Sequence, residues 1–270
     1  MRAVLGIDAA WTVTQPSGVA LAVKTSGRWH LKAAAPSYQR FHSLADNRLR
    51  PEERPSGSRP DADALLTSAS SLCKGRIDLV AIDIPLARHP IDRRRFSDNA
   101  ISKAYGARNC GTHTPNPSRP GQISDDLRRG FERKGYPLQT AIVAPALIAP
   151  GLIEVYPHPA LVELASASSR LPYKASKVRS YWPLDTPNQR RVRLYRQWRK
   201  IETLLENEVA GVAETLQTFQ INACRWHDKA YEDTLDAIIC TWVAVCALEG
   251  RAKAFGDENS AIWVPSPRTG

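Results

Sequence analysis

The sequence lacks the long hydrophobic segments and paired cysteines on which several classes of protein depend. No stretch of about 18 apolar residues occurs, so we expect no membrane span. The five cysteines are scattered without a Cys-x-x-Cys pair, which disfavours a disulfide scaffold and is typical of the reducing cytoplasm. The first residues hold only a short apolar run that ends at Asp8, unlike a secretory signal peptide. We therefore expect a cytoplasmic protein that folds without disulfides.

Glycine-rich motifs of three common enzyme classes are missing as well. The sequence contains no GxxxxGKS or GxxxxGKT phosphate loop and no GxGxxG dinucleotide motif. It also has no GxSxG nucleophile elbow. P-loop NTPases, Rossmann dehydrogenases and α/β-hydrolases are thus unsupported.

Acidic residues are outnumbered, because 37 lysines and arginines face 27 aspartates and glutamates, for a net charge of +10. The stretch from Arg170 to Lys200 has ten basic residues and one acid, and residues 88–134 carry a net +6. Such segments attract phosphate backbones, although a solvated helix face gives the same pattern. Interleaved aromatic residues favour a nucleic-acid partner. The arginines that we expect to hold the phosphate backbone are Arg93, Arg94, Arg190, Arg191, Arg193 and Arg196.

The hydrophobic pattern predicts a mixed five-stranded sheet flanked by helices, an α/β fold. Residues 3–8, 18–23 and 28–33 predict an antiparallel meander with a hairpin turn at 24–27. Residues 77–84 and 152–156 are predicted as buried strands, the first from a continuous apolar run typical of parallel sheets. A further edge strand is conceivable at residues 262–264.

Helical periodicity is clearest in the second half of the chain. The segment Thr186-Pro-Asn-Gln189 has the pattern of a capping box, followed by one apolar face that continues to Leu216. A last helix is predicted from about Lys229 to Glu249, apolar on most sides and therefore deeply packed. A shorter helix is indicated at 61–73. We expect one domain over residues 1–270, with a basic, loop-rich insertion at about 87–150.

Carboxylates occupy unusual places in these elements. Asp8 ends the first strand, Asp83 lies near the end of the fourth, and Glu154 sits in the fifth. Asp233 and Asp236 are three residues apart and share one face of the last helix. Each acid alone also has a structural interpretation as a turn residue, a helix cap or an arginine partner. Together they predict a Mg²⁺ or Mn²⁺ site, because a divalent cation removes the cost of burying several carboxylates.

The order of these acids resembles the RNase H-like superfamily, and most closely the domain-of-unknown-function 429 family, whose members are usually labelled predicted nucleases. The matching motifs are Gly6-Ile-Asp8-Ala-Ala, Ala81-Ile-Asp83-Ile-Pro-Leu86, Glu154-Val-Tyr-Pro-His-Pro159 and Asp233-Thr-Leu-Asp236-Ala. They span most of the chain. The Asp-x-x-Asp pattern is similar to that of the RuvC-type Holliday-junction resolvases, which are dimers, so the resemblance also implies a possible homodimer.

The resemblance implies an RNase H-like fold in which Asp8, Asp83 and Asp236 are metal ligands and Asp233 is a fourth catalytic acid. Many RNase H-like nucleases carry Glu where this chain has Asp83, so the metal position can shift. Glu154 matches the family pattern without a clear counterpart in the resolvases, and we include it among the catalytic acids.

The function expected from these features is metal-dependent cleavage of DNA or RNA by a two-metal mechanism. Three alternatives stay open: a non-catalytic nucleic-acid-binding protein, a phosphotransferase of the actin and sugar-kinase type, and an enzyme acting on a small phosphorylated metabolite. His113 and His158 are candidate general bases or loop histidines. The spacing of Cys110 and His113 suits zinc, but no second ligand pair lies nearby in the sequence.

Overall fold

A computed structural model describes residues 1–48, 53–141, 147–216 and 224–266. The strands are β1 (Arg2–Asp8), β2 (Gly18–Thr25), β3 (Arg28–Ala35), β4 (Leu79–Asp83), β5 (Gly151–Val155), β6 (Ala252–Gly256) and β7 (Ala261–Pro265). The helices are α1 (Tyr38–Ala45), α2 (Ala62–Cys73), α3 (Phe96–Tyr105), α4 (Gln122–Arg133), α5 (Pro157–Leu164), α6 (Val178–Tyr181), α7 (Pro187–Glu206), α8 (Val212–Thr215) and α9 (Arg225–Leu248). None of these helices is long and apolar enough to cross a membrane.

The strands form one mixed sheet in the order β3-β2-β1-β4-β5-β7-β6. The predicted antiparallel meander is confirmed, and β1, β4, β5 and β7 are parallel to their neighbours in that order. The predicted count of five strands is wrong, because β6 and β7 add a hairpin at the far side. Strand β7, expected at the edge, lies between β5 and β6. The short, half-buried β6 is held in the sheet by its pairing with β7. The sequence pattern of β6 alone does not predict a strand.

Local sequence explains the confirmed turns and caps. Ser26 and Gly27 have positive φ angles of 51° and 81° between β2 and β3, which matches the twist of a tight hairpin. Thr186 caps α7 by accepting a hydrogen bond from the backbone N–H of Gln189, and the Gln189 side chain accepts one from the Thr186 N–H. The predicted capping box is therefore confirmed.

The long helix predicted to reach Leu216 is interrupted. Helix α7 ends at Glu206, and Gly211 adopts a φ of +86° before the short α8. Between them Ala210 exchanges backbone hydrogen bonds with β3, donating to Trp29 at 2.9 Å and accepting from Leu31 at 2.8 Å. The chain leaves the helix here because pairing with the edge strand satisfies these backbone groups.

Helices cover both faces of the sheet. Helices α5, α7 and α9 cover one face of the sheet and pack over one apolar cluster. Helices α1, α2 and α4 cover the other face and pack over a second apolar cluster. Every residue of α9 from Tyr231 to Ala247 is buried, so its apolar faces are used within this chain. In the region predicted as an insertion, α3 packs against β6 and β7, and α4 packs against α2 and β5. The single-domain organisation and the homodimer stay predictions.

Candidate functional site

Asp8 and Asp83 end neighbouring parallel strands and are direct partners in the register of β1 and β4. Adjacent strands are about 4.8 Å apart, and residues in register point to the same face. The two carboxylates therefore project side by side from the carboxyl end of the parallel strands. On the other side of Asp8 its partner in β2 is Gly18, which adds no side chain.

Helix α9 brings two further acids over this pair. A Cβ atom on Gly18 would lie 2.0 Å from the carbonyl oxygen of Asp233, and one on Gly6 would lie 2.3 Å from that of Ala237. Only glycine lets the helix approach the strands this closely. Asp233 and Asp236, which share a helix face, are thus placed at the strand ends beside Asp8, and both are buried.

Burial and mutual repulsion raise the pKa values of these carboxyl groups. The pKa of Asp8 rises from 3.8 to about 7, first because it is buried and then because Asp236 is close. Burial and Asp8 raise the pKa of Asp83 well above its ordinary range. Burial also raises the pKa values of Asp233 and Asp236, against the attraction of nearby lysines. The cluster consequently retains protons near neutral pH unless a cation is bound.

Lys174 and Tyr173 hold Asp236 from an irregular segment before α6. The Lys174 ammonium donates to Oδ2 of Asp236 and lies 3.5 Å from Oε1 of Glu232. The Tyr173 hydroxyl donates to Oδ1 of Asp236 at 2.8 Å. Burial alone would lower the pKa of Lys174, but Asp236 and Glu232 outweigh it, so its pKa is well above the ordinary value. Lys174 therefore stays charged.

Lys229 holds the other acid of α9 from one turn earlier on the same helix. Its ammonium donates to Oδ1 of Asp233 and lies 3.3 Å from Oε1 of Glu232. Its side chain is about half exposed, at 47%. Oδ2 of Asp233, in contrast, is buried and has no hydrogen-bond partner among the described residues. A buried carboxylate oxygen without a partner is costly and indicates a place for a ligand cation or water.

As the side chains stand, no three His, Cys, Asp or Glu residues among those described are arranged to hold a metal ion. Lysine ammonium groups pair with Asp233 and Asp236 in this arrangement. The donor set nevertheless fits Mg²⁺ or Mn²⁺, which prefer carboxylate oxygens. The unpartnered oxygen of Asp233 is consistent with such a cation. The residues suited to hold it are Asp8, Asp83 and Asp236, with Asp233 beside them.

Glu154 is not brought to the aspartates. It pairs with Ile82 in the β4–β5 register, so the strand pleat turns it to the face opposite Asp83. There both of its oxygens accept hydrogen bonds from the buried Arg95, at 2.5 and 2.7 Å, and Oε2 also accepts from the Leu86 N–H at 2.7 Å. Glu154 thus pairs with an arginine, which is one of the structural roles expected for an acid in a strand. Its catalytic role stays a prediction, and its visible role is to fix the chain after β4.

The predicted phosphate-binding arginines of α7 have partners in their own neighbourhood. Arg191 and Arg193 form ion pairs with Asp228 and Asp185, at 3.0 and 2.5 Å. Arg190 donates to the backbone carbonyls of residues 182 and 183, at 2.8 Å each. These contacts hold α7 to α9 and to the preceding loop.

The remaining three arginines of the prediction lie at different places. Arg196 is exposed on α7, and Arg93 forms an exposed ion pair with Asp92. Arg94 donates to Asn99 and to the segment around Thr112. A role of any of these arginines in binding nucleic acid stays a prediction.

Sequence reasoning missed Tyr173, Lys174, Lys229 and Glu232. Helical spacing was a usable signal for Lys229, because it lies four residues before Asp233 and so shares its face. No such signal marks Lys174, which stands in an irregular basic segment and reaches Asp236 only through the tertiary fold.

The family described as "Protein of unknown function (DUF429)" has a model that matches residues 6–261, nearly the whole chain. The chain therefore belongs to this family. No curated protein and no solved structure matches it.

Proposed function

We propose that this DUF429 protein is a divalent-metal-dependent nuclease with an RNase H-like fold, cleaving phosphodiester bonds of DNA or RNA. The observation that carries the proposal is the register pairing of Asp8 with Asp83 beneath Asp233 and Asp236 of α9. An antiparallel meander followed by parallel strands, with an acid on the first strand and others on the last helix, supports the RNase H-like assignment. The net charge of +10 suits a polyanionic substrate.

Five residues in and around the cluster have a role in this proposal. Asp8, Asp83 and Asp236 would hold Mg²⁺ or Mn²⁺, which supplies Lewis acidity to a phosphate oxygen and to a water molecule when bound. Tyr173 orients Asp236 through its 2.8 Å hydrogen bond. Burial and the nearby Asp236 raise the pKa of Asp8 to about 7 in the metal-free protein, so this carboxyl group would release a proton when it binds the cation near neutral pH. Lys174 supplies a permanent positive charge beside the carboxylates.

Metal binding is the first test. Mn²⁺ is titrated by calorimetry into the wild type, Asp8→Asn and Asp236→Asn, with Asp228→Asn as a matched control on the same helix outside the cluster. We expect micromolar to sub-millimolar binding that is lost in the two cluster variants and kept in the control. Single-stranded and duplex DNA and RNA are then tested as substrates with Mn²⁺. Metal binding that survives in Asp8→Asn and Asp236→Asn would refute the assignment of this site.

A second candidate function is a nucleic-acid-binding protein without turnover. One observation favours it: Lys174 and Lys229 already neutralise Asp236 and Asp233 without any metal. In that case Mn²⁺ would produce no binding heat, and affinity for nucleic acid would fall steeply with salt but not with EDTA.

A further inference from the structure

A second polar cluster borders the aspartates and contains Arg170, Lys174 and a neutral imidazole, that of His158. Arg170 is fixed at its backbone, where its N–H donates to the carbonyl of Arg108 at 2.8 Å. Four residues later Lys174 follows Tyr173, whose carbonyl accepts from the indole of Trp198 at 2.7 Å. The backbone of the segment that carries Arg170 and Lys174 is thus anchored at both ends.

Two buried nitrogen atoms of this cluster lack partners. Nε of Arg170 and Nδ1 of His158 are inaccessible to solvent and make no hydrogen bond within the described part of the chain. His158 as a whole is only 6% exposed and lies between the rings of Tyr156 and Tyr173, with centroids 5.3 and 5.4 Å away. No carboxylate among the described residues forms an ion pair with Arg170. A buried guanidinium N–H without a hydrogen-bond acceptor is energetically costly. An acceptor oxygen from a bound ligand would remove this cost.

The electrostatics around His158 show which sign of ligand fits. Its pKa is lowered well below the ordinary value, first by burial and then by the positive charges of Lys174, Arg170 and His113. Burial raises the pKa of Tyr156, Arg170 opposes this rise and Asp83 adds to it, so Tyr156 lies near both the positive residues and the carboxylate pair. The positive charges of Arg170 and Lys174 that disfavour protonation of His158 would attract an anion to this region. The aspartate cluster next to it would attract a cation.

We propose that Arg170, His158 and Lys174 form a pocket that binds a phosphate group of the substrate directly beside the aspartate cluster. A phosphate offers several strong acceptor oxygens, and a guanidinium matches their geometry better than an ammonium does. His158 donates from Nδ1 when its proton sits on that nitrogen. The identity of the substrate rests on the proposed nuclease function, but phosphate binding itself does not.

The test uses the full chain in EDTA, so that metal plays no part. Inorganic phosphate and a short single-stranded oligonucleotide are titrated separately into the wild type, Arg170→Gln and the control Arg179→Gln, an exposed arginine of α6. Binding is followed by calorimetry and by the imidazole NMR signals of His158. We expect phosphate to shift the His158 signals, Arg170→Gln to weaken phosphate binding about tenfold or more, and Arg179→Gln to change it less than twofold.

The two probes separate the possible sources of the phosphate. Tighter binding of the oligonucleotide than of phosphate, with the same dependence on Arg170, supports a nucleic-acid chain. Equal affinities support the pocket with a small phosphorylated compound as its ligand. Equal losses in Arg170→Gln and Arg179→Gln, or His158 signals that do not respond to phosphate, overturn the proposal.

Folding of the variants is controlled independently. If Arg170→Gln does not fold, Arg170→Lys keeps the charge but loses the planar donor pair, and we expect a weakening of about threefold or more. Unchanged affinity in Arg170→Lys, together with silent His158 signals, would also overturn the pocket. Because no metal is present, a failure of Mn²⁺ binding would count against the nuclease proposal alone.

Discussion

Replacing Asp8 by asparagine is expected to stabilise the folded chain at pH 8, although it removes a proposed metal ligand. The pKa of Asp8 is raised to about 7, chiefly by burial and next by Asp236. A carboxyl group whose pKa is higher in the folded state stabilises the fold only while it is protonated. Its contribution therefore turns unfavourable as pH rises from about 4 to 7. Asparagine removes the charge and with it this penalty.

The magnitude follows from the displacement of the pKa from 3.8 to about 7. At about 1.4 kcal/mol per pH unit this corresponds to a penalty of about 4 kcal/mol above pH 7. Asp83 and Asp236 share the protons of the cluster, so a single substitution relieves only part of it. We expect a gain of about 2 kcal/mol, or about 5 °C in Tm for a chain of this size.

Urea and thermal unfolding in EDTA at pH 4 and pH 8 measure this difference. The gain should appear at pH 8 and fall to a small fraction of that value at pH 4, where Asp8 is protonated in the folded chain and the pH is close to its unfolded pKa of 3.8. The control Asp228→Asn should lose stability, because Asp228 accepts hydrogen bonds from Tyr195 at 2.7 Å and from Arg191 at 3.0 Å. Equal or lower stability of Asp8→Asn at pH 8, or a difference that does not change with pH, would refute the electrostatic reasoning.

Three other substitutions test separate parts of the structure. Lys174→Met should tighten Mn²⁺ binding several-fold in calorimetry, because it removes a cation that competes for the carboxylates, while the exposed Lys177→Met should not. Gly18→Ala should destabilise the fold by about 3 kcal/mol or prevent folding in urea denaturation, because its Cβ would meet backbone at 2.0 Å, whereas Gly106→Ala, which meets nothing within 4 Å, should be harmless. Glu154→Gln should lower the free energy of unfolding by about 3 kcal/mol in the same assay, because the buried Arg95 loses one of its carboxylate partners. The variant should still bind Mn²⁺.

Sequence reasoning succeeds where local patterns determine the structure. The apolar runs that end in Asp8 and Asp83 predict two strands. They also predict that the two acids lie close together, because the carboxyl ends of parallel strands meet at one edge of the sheet. The register that makes them direct partners is not contained in either run. The same holds for Glu154, since a shift of one residue in the register would have turned it towards the aspartates.

Long-range pairing accounts for most of what the sequence did not predict. The apolar periodicity continues through Val209 and Val212, but Gly211 and the pairing of Ala210 with β3 end the helix before them. Strand β7 is inserted between β5 and β6 because parallel pairing with β5 buries Ile262. These outcomes depend on contacts between distant segments, which periodicity within one segment does not report.

The balance of charge in the cluster explains why the site suits an additional cation even though lysines are present. Five acids influence one another there: Asp8, Asp83, Glu232, Asp233 and Asp236. In the described part of the chain, two ammonium groups, those of Lys174 and Lys229, face them. Full ionisation would therefore leave three negative charges in a largely buried space, which the raised pKa values of the aspartates avoid by retaining protons. A divalent cation would replace protons there and offset two of these three negative charges with the carboxylates ionised.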